Sequence, residues 1–210
     1  MNVKSESADA QARPTVKAAQ SEATRAALVA TARRLFAERG YAAVGTEEIV
    51  RSAGVTRGAL YHHFSGKREL FAAVYEDVER ELVERIAASA VSSAADPLQA
   101  LQSGAQAFLD ACEDPAVQRI ALLDAPSVLG WEQWREIGMR YAFGLVQATV
   151  QAAMDAGLIE RQPVVALSHL LLGAMDEGAM LIARADDGGR TRRDVGASVS
   201  RFLEALAPRT

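Results

Sequence analysis

The chain's densest set of reactive and hydrogen-bonding side chains is RGALYHHF, residues 57–64, which holds two of its three histidines. An arginine and a tyrosine stand four residues apart within it. Metal binding is poorly served, because His62 and His63 are neighbours about 100° apart around a helix. They cannot easily chelate one ion, and no third ligand of suitable spacing stands nearby. Nucleophilic catalysis is no better served: there is no Gly-x-Ser-x-Gly elbow, and the single cysteine, Cys112, has no histidine close in sequence. Neither a metal nor a cofactor is expected. A contact surface remains. Helical spacing turns Leu60 and Phe64 toward a core with Val55, and leaves Arg57 with Tyr61, and Gly58 with His62, on adjacent outward rows. A guanidinium can fork onto guanine in a major groove, and an aromatic edge can meet a thymine methyl. Tyr61 can equally donate to a phosphate, while Gly58 and Ala59 permit close approach. The plain alternative is that Tyr61, His62 and His63 finish a small packing unit, a reading that weighs most for His63.

Those side chains need a scaffold, and helical periodicity supplies it. Leu28, Ala32, Leu35 and Phe36 recur at helical spacing until Gly40. Thr46 can cap a second helix with Glu47 and Glu48 in its first turn, and Ile49, Val50 and Ala53 form its inner face. Gly54 ends it, the chain restarts at Thr56, and Ser65-Gly66 stops the third helix. Helices at 46–53 and 56–64 joined by a glycine turn have the dimensions of a helix-turn-helix. Lys67 and Arg68 then open a fourth helix, where cations oppose the helix dipole unless a phosphate docks there. Leu70, Phe71, Val74, Val78, Leu82 and Ile86 line one stripe of that helix. A Ser/Ala/Asp/Pro stretch at 91–97 is the best internal boundary. Further helices are expected at 98–112, 116–122, 131–156, 164–185 and 191–206, punctuated by Pro115, Pro126, Gly130, Gly157, Pro163 and Gly188-Gly189. No segment alternates as a strand would and no repeat occurs, so the fold class is all-α with about nine helices.

Composition bounds the rest. The net charge of −4 is uneven: residues 1–70 hold eleven Lys/Arg against seven Asp/Glu, and residues 71–210 hold twelve against twenty. A basic head on an acidic body suits a protein whose head alone approaches a polyanion. Residues 1 to about 20 read as a mobile tail interrupted by Pro14, with Lys4, Arg13 and Lys17 near enough to brush a phosphate backbone. No apolar run reaches bilayer-spanning length, and the N-terminus lacks the apolar stretch of a secretion signal. No membrane partner and a cytoplasmic location follow as expectations, and the lone cysteine agrees with them.

The stretch ATARRLFAERGYAAVGTEEIVRSAGVTRGALYHHFSGKRELFAAV carries an ordered set of motifs. They are Ala-x-x-Leu-Phe, Gly-Tyr, Thr-x-x-x-Ile, Ala-Gly-Val, Gly-x-Leu-Tyr-x-His-Phe and Lys-x-x-Leu. Over about residues 25–75 it resembles the N-terminal DNA-binding domain of the tetracycline-repressor (TetR) family of transcriptional regulators. By that resemblance Thr46, Thr56, Arg57, Gly58, Ala59, Tyr61, His62, His63 and Lys67 fall at the DNA contact. Thr46, Tyr61 and Lys67 would hold phosphates, and Arg57 to Ala59 with His62 would read bases. Val50 stands where alanine is usual, an inward change of packing only, and Glu47-Glu48 would weaken nearby DNA contacts. The resemblance also implies a homodimer that binds double-stranded operator DNA and a small-molecule effector. It divides the chain into a tail (1–20), a reading head (21–68) and an effector-binding and dimerisation body (69–210).

For the effector, the candidates are Phe108, Cys112, Leu122, Trp131, Trp134, Ile137, Tyr141, Leu145, Thr149 and His169, with Asp176, Asp110 and Asp124 as polar anchors. Aromatics at helical spacing are more often core than binding site. His169 lies between apolar neighbours and reads equally as an interior histidine, and Trp131 with Trp134 reads as a cap beside Gly130. For the dimer interface, Gly173, Ala174, Gly178 and Ala179 form a small-residue row, and Val195, Val199, Phe202 and Leu206 share one side of the last helix. The expected mechanism is repression. Two copies of the reading helix enter successive major grooves of a palindromic operator, and an effector favours a dimer with wrongly spaced heads. Two alternatives stand beside it: a helical small-molecule-binding or enzymatic protein with a DNA-binding-like head, and a DNA-binding protein without sequence preference.

Overall fold

The computed structural model describes residues 16–93 and 95–208, and every regular element among them is helical. The first helix, α1 (Val16–Ala43), begins earlier than a tail reaching residue 20 would allow. Lys17-Ala18-Ala19-Gln20 are strong helix formers with no breaker among them. Lys17 is therefore an exposed helical residue, while Lys4, Arg13 and Pro14 lie outside the described residues. α1 buries Leu28, Val29, Ala32, Leu35 and Phe36, the face its periodicity specifies. Gly40 interrupts it at φ 77°, ψ 163°, a conformation open essentially to glycine alone, and one further turn follows.

Helices α2 (Thr46–Ser52) and α3 (Arg57–His63) cross beneath α1, with Val44, Ile49, Leu60 and Phe64 in the shared core. The long helix α4 (Lys67–Ser93) runs from this head into the rest of the molecule. Arg33 of α1 forks onto Glu81 of α4 at 2.7 Å and also reaches Asp77 at 3.1 Å. Edge-on rings of Phe36, Tyr41 and Phe71 fill the space between α1 and α4.

The body consists of α5 (Pro97–Ala111), α8 (Trp131–Asp155), α9 (Val164–Arg184) and α10 (Gly188–Glu204) around the far half of α4. Asp96 caps α5 by accepting the Gln99 N–H at 2.9 Å, and Asp187 caps α10 by accepting the Arg190 N–H at 2.9 Å. Between α5 and α8 the chain stays helical through Pro126, where proline punctuation predicts a break. A short α6 (Pro115–Val117) leads into a π-helical stretch (Gln118–Asp124) and then α7 (Ala125–Leu129). The wider π turn accommodates a proline that would strain an ordinary α-helical repeat.

The core does not divide at the expected boundary between residues 68 and 69. One apolar cluster runs from Leu28 and Phe36 in the head through Phe71 and Val74 to Ile120, Leu129 and Trp134 in the body. A second, containing Leu109, Val150, Met154, Leu171, Ile182 and Leu203, joins α5, α8, α9 and α10. α9 departs from another expectation, being long and apolar enough by length and composition to cross a membrane. It packs instead on α5, α8 and α10.

Gly40→Ala tests the kink in α1. A Cβ there would sit 3.4 Å from the Asp124 carboxylate and 3.5 Å from Arg119, in a backbone conformation alanine resists. Urea denaturation should show a loss of about 1–3 kcal/mol; unchanged stability would mean the kink relaxes without cost.

Candidate nucleic-acid interface and effector cavity

The outward face of α3 carries the expected side chains. Thr56 is its N-cap, accepting the Ala59 N–H at 3.2 Å, which fixes the helix's start and therefore its phase. Leu60 and Phe64 face inward, so Arg57, Gly58, Tyr61 and His62 face solvent; Tyr61 is 47% exposed. The Arg57 guanidinium lies 5.6 Å from the Tyr61 ring centre and 3.7 Å from Glu47. A glutamate is thus already a competing partner for the base-reading arginine. His63 is half-buried, its ring against His62 and Phe64. Among the described residues no group of three or more His, Cys, Asp or Glu side chains is arranged to hold a metal ion.

Three placements differ from expectation. Thr46 is the first helical residue of α2 rather than its cap; Gly45 holds the cap position and no side chain caps there. Lys67 does not stand free at the start of α4. Its ammonium lies 4.0 Å from the Tyr41 ring centre, and burial lowers its pKa from the ordinary lysine value. Arg68 faces the body, donating to the carbonyls of Val128 at 3.1 Å and Leu129 at 2.7 Å, and to Gln133 at 2.8 Å. It satisfies the orphan carbonyls that end α7, which explains a cation at the start of α4 without a phosphate.

A second link joins head and body at the α1 kink. The Tyr41 backbone N–H, left without an intrahelical acceptor by Gly40, donates to Asp124 Oδ2 at 2.7 Å. Asp124 ends the π-helical stretch, and Val117, Ala121 and Leu122 line a cavity in the body.

That cavity encloses about 160 Å³ between α4, α5, α8, α9, α10 and the π-helical stretch. Its wall is mostly apolar, with Leu101, Phe108, Val146, Leu171 and Met175 among the lining residues. A few ionisable groups break this lining. Glu79 projects from α4 beside Tyr75, whose hydroxyl is 3.4 Å from the Trp134 carbonyl; Asp176 of α9 is paired with Arg135 of α8 at 2.8 Å. Loss of water pushes Glu79 up to about 7, with the Tyr75 hydroxyl opposing the rise and the Asp176 charge adding to it. Burial likewise pushes Asp176 up to about 6 against the pull of Arg135. The Cys112 thiol on the same wall is driven far upward, by burial first and then by Glu79 and Asp176, so it is no thiolate nucleophile.

Of the effector candidates, Phe108, Cys112, Leu122, Trp134, Leu145, Thr149 and Asp176 line this cavity. Trp131, Ile137, Tyr141 and His169 do not. Trp131 opens α8 on the solvent side and is 61% exposed, its ring on Trp134. Ile137 and Tyr141 pack with the first core cluster, because Trp134, Arg135 and Gly138 are the α8 residues in phase with the cavity. His169 is exposed and rests on Phe143, which overturns its reading as an interior histidine too. Asp110 is taken by Arg192 at 2.5 Å, and Asp124 by Tyr41. Tyr75, Glu79 and Arg135 are not among the sequence candidates. The signal that could have found Glu79 is a carboxylate in helical register with Tyr75, Leu82 and Ile86, on the inner side of α4.

The expected interface residues split by direction. Gly178 faces α10, where a Cβ would meet Val195 at 2.9 Å; Ala179 and Val199 are buried, and Leu206 packs on the second cluster. Gly178 serves close packing of α9 on α10 within one chain, and Ala179 packs into the first cluster. Gly173 is half-buried with nothing within 4 Å of a Cβ position, and Ala174 and Phe202 are exposed at the cavity's rim, where both also line it. Beside them Leu170 and Leu181 are 66% and 56% exposed, forming an apolar outer stripe along α9 and α10.

A helix-turn-helix head with an outward arginine and tyrosine, mounted on a cavity-bearing helical body, is the build of a transcriptional regulator. The descriptions "Bacterial regulatory proteins, tetR family" and "Tetracyclin repressor-like, C-terminal domain" match residues 28–74 and 98–206. The chain belongs to the tetR family. It is 30% identical to the transposon Tn10 TetC protein of Escherichia coli over 72% of this chain and 76% of that protein. A tetR-family transcriptional regulator from Pectobacterium atrosepticum superposes with a TM-score of 0.81 at 34% identity, covering 91% of this chain and 97% of that one. RolR, solved in complex with resorcinol, shares the fold at a TM-score of 0.71 and 20% identity, over 92% and 97% of the two chains.

Folded-state pKa values of Glu79 and Asp176 above their ordinary ones mean that the folded protein holds protons the unfolded chain releases. Their contribution therefore lowers stability progressively as pH rises from about 4 to about 7. Glu79→Gln removes one such charge. Thermal unfolding should show the variant more stable than the parent at pH 8, on the order of 2 kcal/mol, with the gain vanishing near pH 5. An equal gain at both pH values would show that ionisation of Glu79 is not its source.

Proposed function

We propose that the protein is a ligand-responsive repressor that binds a palindromic operator as a homodimer through α3 and is released by a small molecule in the body cavity. The observation that carries this is the pairing of an outward Arg57–Tyr61 face on a capped reading helix with an apolar cavity lined by Ala121 and Leu122 of the π-helical stretch, which ends at Asp124, the acceptor for Tyr41 in the head. Arg57, Gly58, Ala59 and His62 are assigned to bases, and Thr46, Thr56, Tyr61 and His63 to the backbone and its flanks. Lys67 is assigned to a phosphate, reached by leaving the Tyr41 ring, whose cation–π attraction is small at a partly exposed site. Work on operator DNA places the protein in the cytoplasm, and nothing in this reading calls for catalysis.

The outer stripe of Leu170, Ala174, Leu181 and Phe202 is assigned to the partner copy, because a helix apolar on two faces needs cover on both. An effector that resists the cavity's resting shape displaces the π-helical stretch. Asp124 and Arg68 then carry that displacement to Tyr41 and to the start of α4. The effector shifts occupancy only by its differential affinity for the two arrangements, about 1–3 kcal/mol of coupling. RolR with resorcinol in its complex supports a small-molecule effector for this build.

Selection of bound duplexes from a random pool tests the whole reading, with a specific site expected. On the selected site, Arg57→Ala should lose roughly 1–3 kcal/mol at particular base positions. Lys67→Ala should weaken every sequence alike and reduce the salt slope by about one unit. Binding of all duplexes with equal affinity would instead support a DNA-binding protein without sequence preference.

The dimer face has its own test. Leu181→Glu combined with Phe202→Glu should yield a folded monomer by sedimentation, with operator affinity reduced at least about tenfold through loss of the second half-site. A dimer surviving both charges would move the interface elsewhere.

A further inference from the structure

The cavity contains one carboxyl group without a cationic partner. Four ionisable side chains face it from three helices: Tyr75 and Glu79 from α4, Arg135 from α8 and Asp176 from α9; the neutral thiol of Cys112 at the end of α5 joins the lining. Arg135 and Asp176 neutralise one another at 2.8 Å. Among the described residues no cation pairs with Glu79. Its neighbours are the Tyr75 hydroxyl and Gly138, where a Cβ would lie 3.4 Å from that hydroxyl and 4.0 Å from Glu79 Oε2. With no side chain, Gly138 leaves free the volume a Cβ would occupy beside the carboxylate. Tyr75, Trp134 and Phe108 line the same cavity, whose wall is otherwise mostly apolar.

We propose that the effector is a lipophilic amine, whose protonated nitrogen pairs with Glu79 over Gly138 while its apolar body lies along Phe108, Val146, Leu171 and Met175. This deepens the effector reading above and rests on it. The choice among ligand charges follows from the groups present. An anion would have to take Arg135 from Asp176 and sit near a second carboxylate. A neutral ligand can hydrogen-bond Glu79 but leaves it without a counter-charge once it ionises above about pH 7. A cation supplies the missing partner. Because Glu79 is largely protonated below about pH 7 in the empty cavity, pairing with an ammonium releases its proton.

The test uses three probes with one apolar body: 4-phenylbutylamine, 4-phenylbutanol and 4-phenylbutyrate, titrated by calorimetry into the full-length protein and into Glu79→Gln. The amine should bind the parent at least about tenfold more tightly than the alcohol, with the carboxylate weakest. Its affinity should rise between about pH 6 and pH 8, with a proton released to buffer near pH 6.5. Glu79→Gln should abolish the amine's advantage and its pH dependence while keeping the alcohol's affinity and the cooperative unfolding transition. Equal binding of amine and alcohol, an unchanged amine affinity in Glu79→Gln, or binding of none of the three overturns the proposal. A gel-shift assay on the selected operator separates the two readings. Specific DNA binding without amine preference removes only the amine, whereas amine preference without specific DNA binding removes only the repressor.

Discussion

Asp124 accepts the backbone N–H of Tyr41 at 2.7 Å, across 83 residues of sequence, and so ties the regulator's reading head to its body. Gly40 makes the junction necessary, because its kink strips Tyr41 of an intrahelical acceptor. Gly40 also makes it possible, because its φ of 77° is one that residues with a Cβ resist. On one side of the hydrogen bond lies α1, which carries the reading head; on the other lies the π-helical wall of the cavity. Arg68 ties the start of α4 to the end of α7 in parallel. A continuous apolar cluster lies under both links and packs head and body into one interior.

The cavity works by a different rule. Apolar walls supply volume and affinity but little discrimination, so specificity falls to the few polar groups that interrupt them. Here an ion pair is complete within itself and one carboxylate is left over. A carboxylate held without a cation in a water-poor space destabilises the empty protein, and a ligand of the right charge removes that destabilisation. The same group therefore ties the pH dependence of stability to the selectivity of the site.

The reading head is largely legible in the sequence. Leu60, Phe64 and the outward Arg57–Tyr61 row follow from helical phase alone, and Thr56 fixes that phase locally. Local rules fail where a side chain's partner comes from a distant element. Thr46 reads as a cap, yet Gly45 takes the position. Arg68 reads as a phosphate ligand because the carbonyls of Val128 and Leu129 are 60 and 61 residues away. Gly178 reads as part of a dimer seam because periodicity cannot show that Val195 of α10 fills the groove beside it.

Local sequence is enough to specify the helices, the glycine-bounded turn, the outward reading row and the family, because each is encoded by residues within a few turns of one another. Which residues face the cavity, and which carboxylate lacks a cation, is settled only in three dimensions. Those outcomes depend on how α4, α8 and α9 rotate against each other, and that rotation is set by packing across the whole body. Glu79 sits among other acids along the chain and acquires its distinct chemistry only when the elements packed around α4 remove its water.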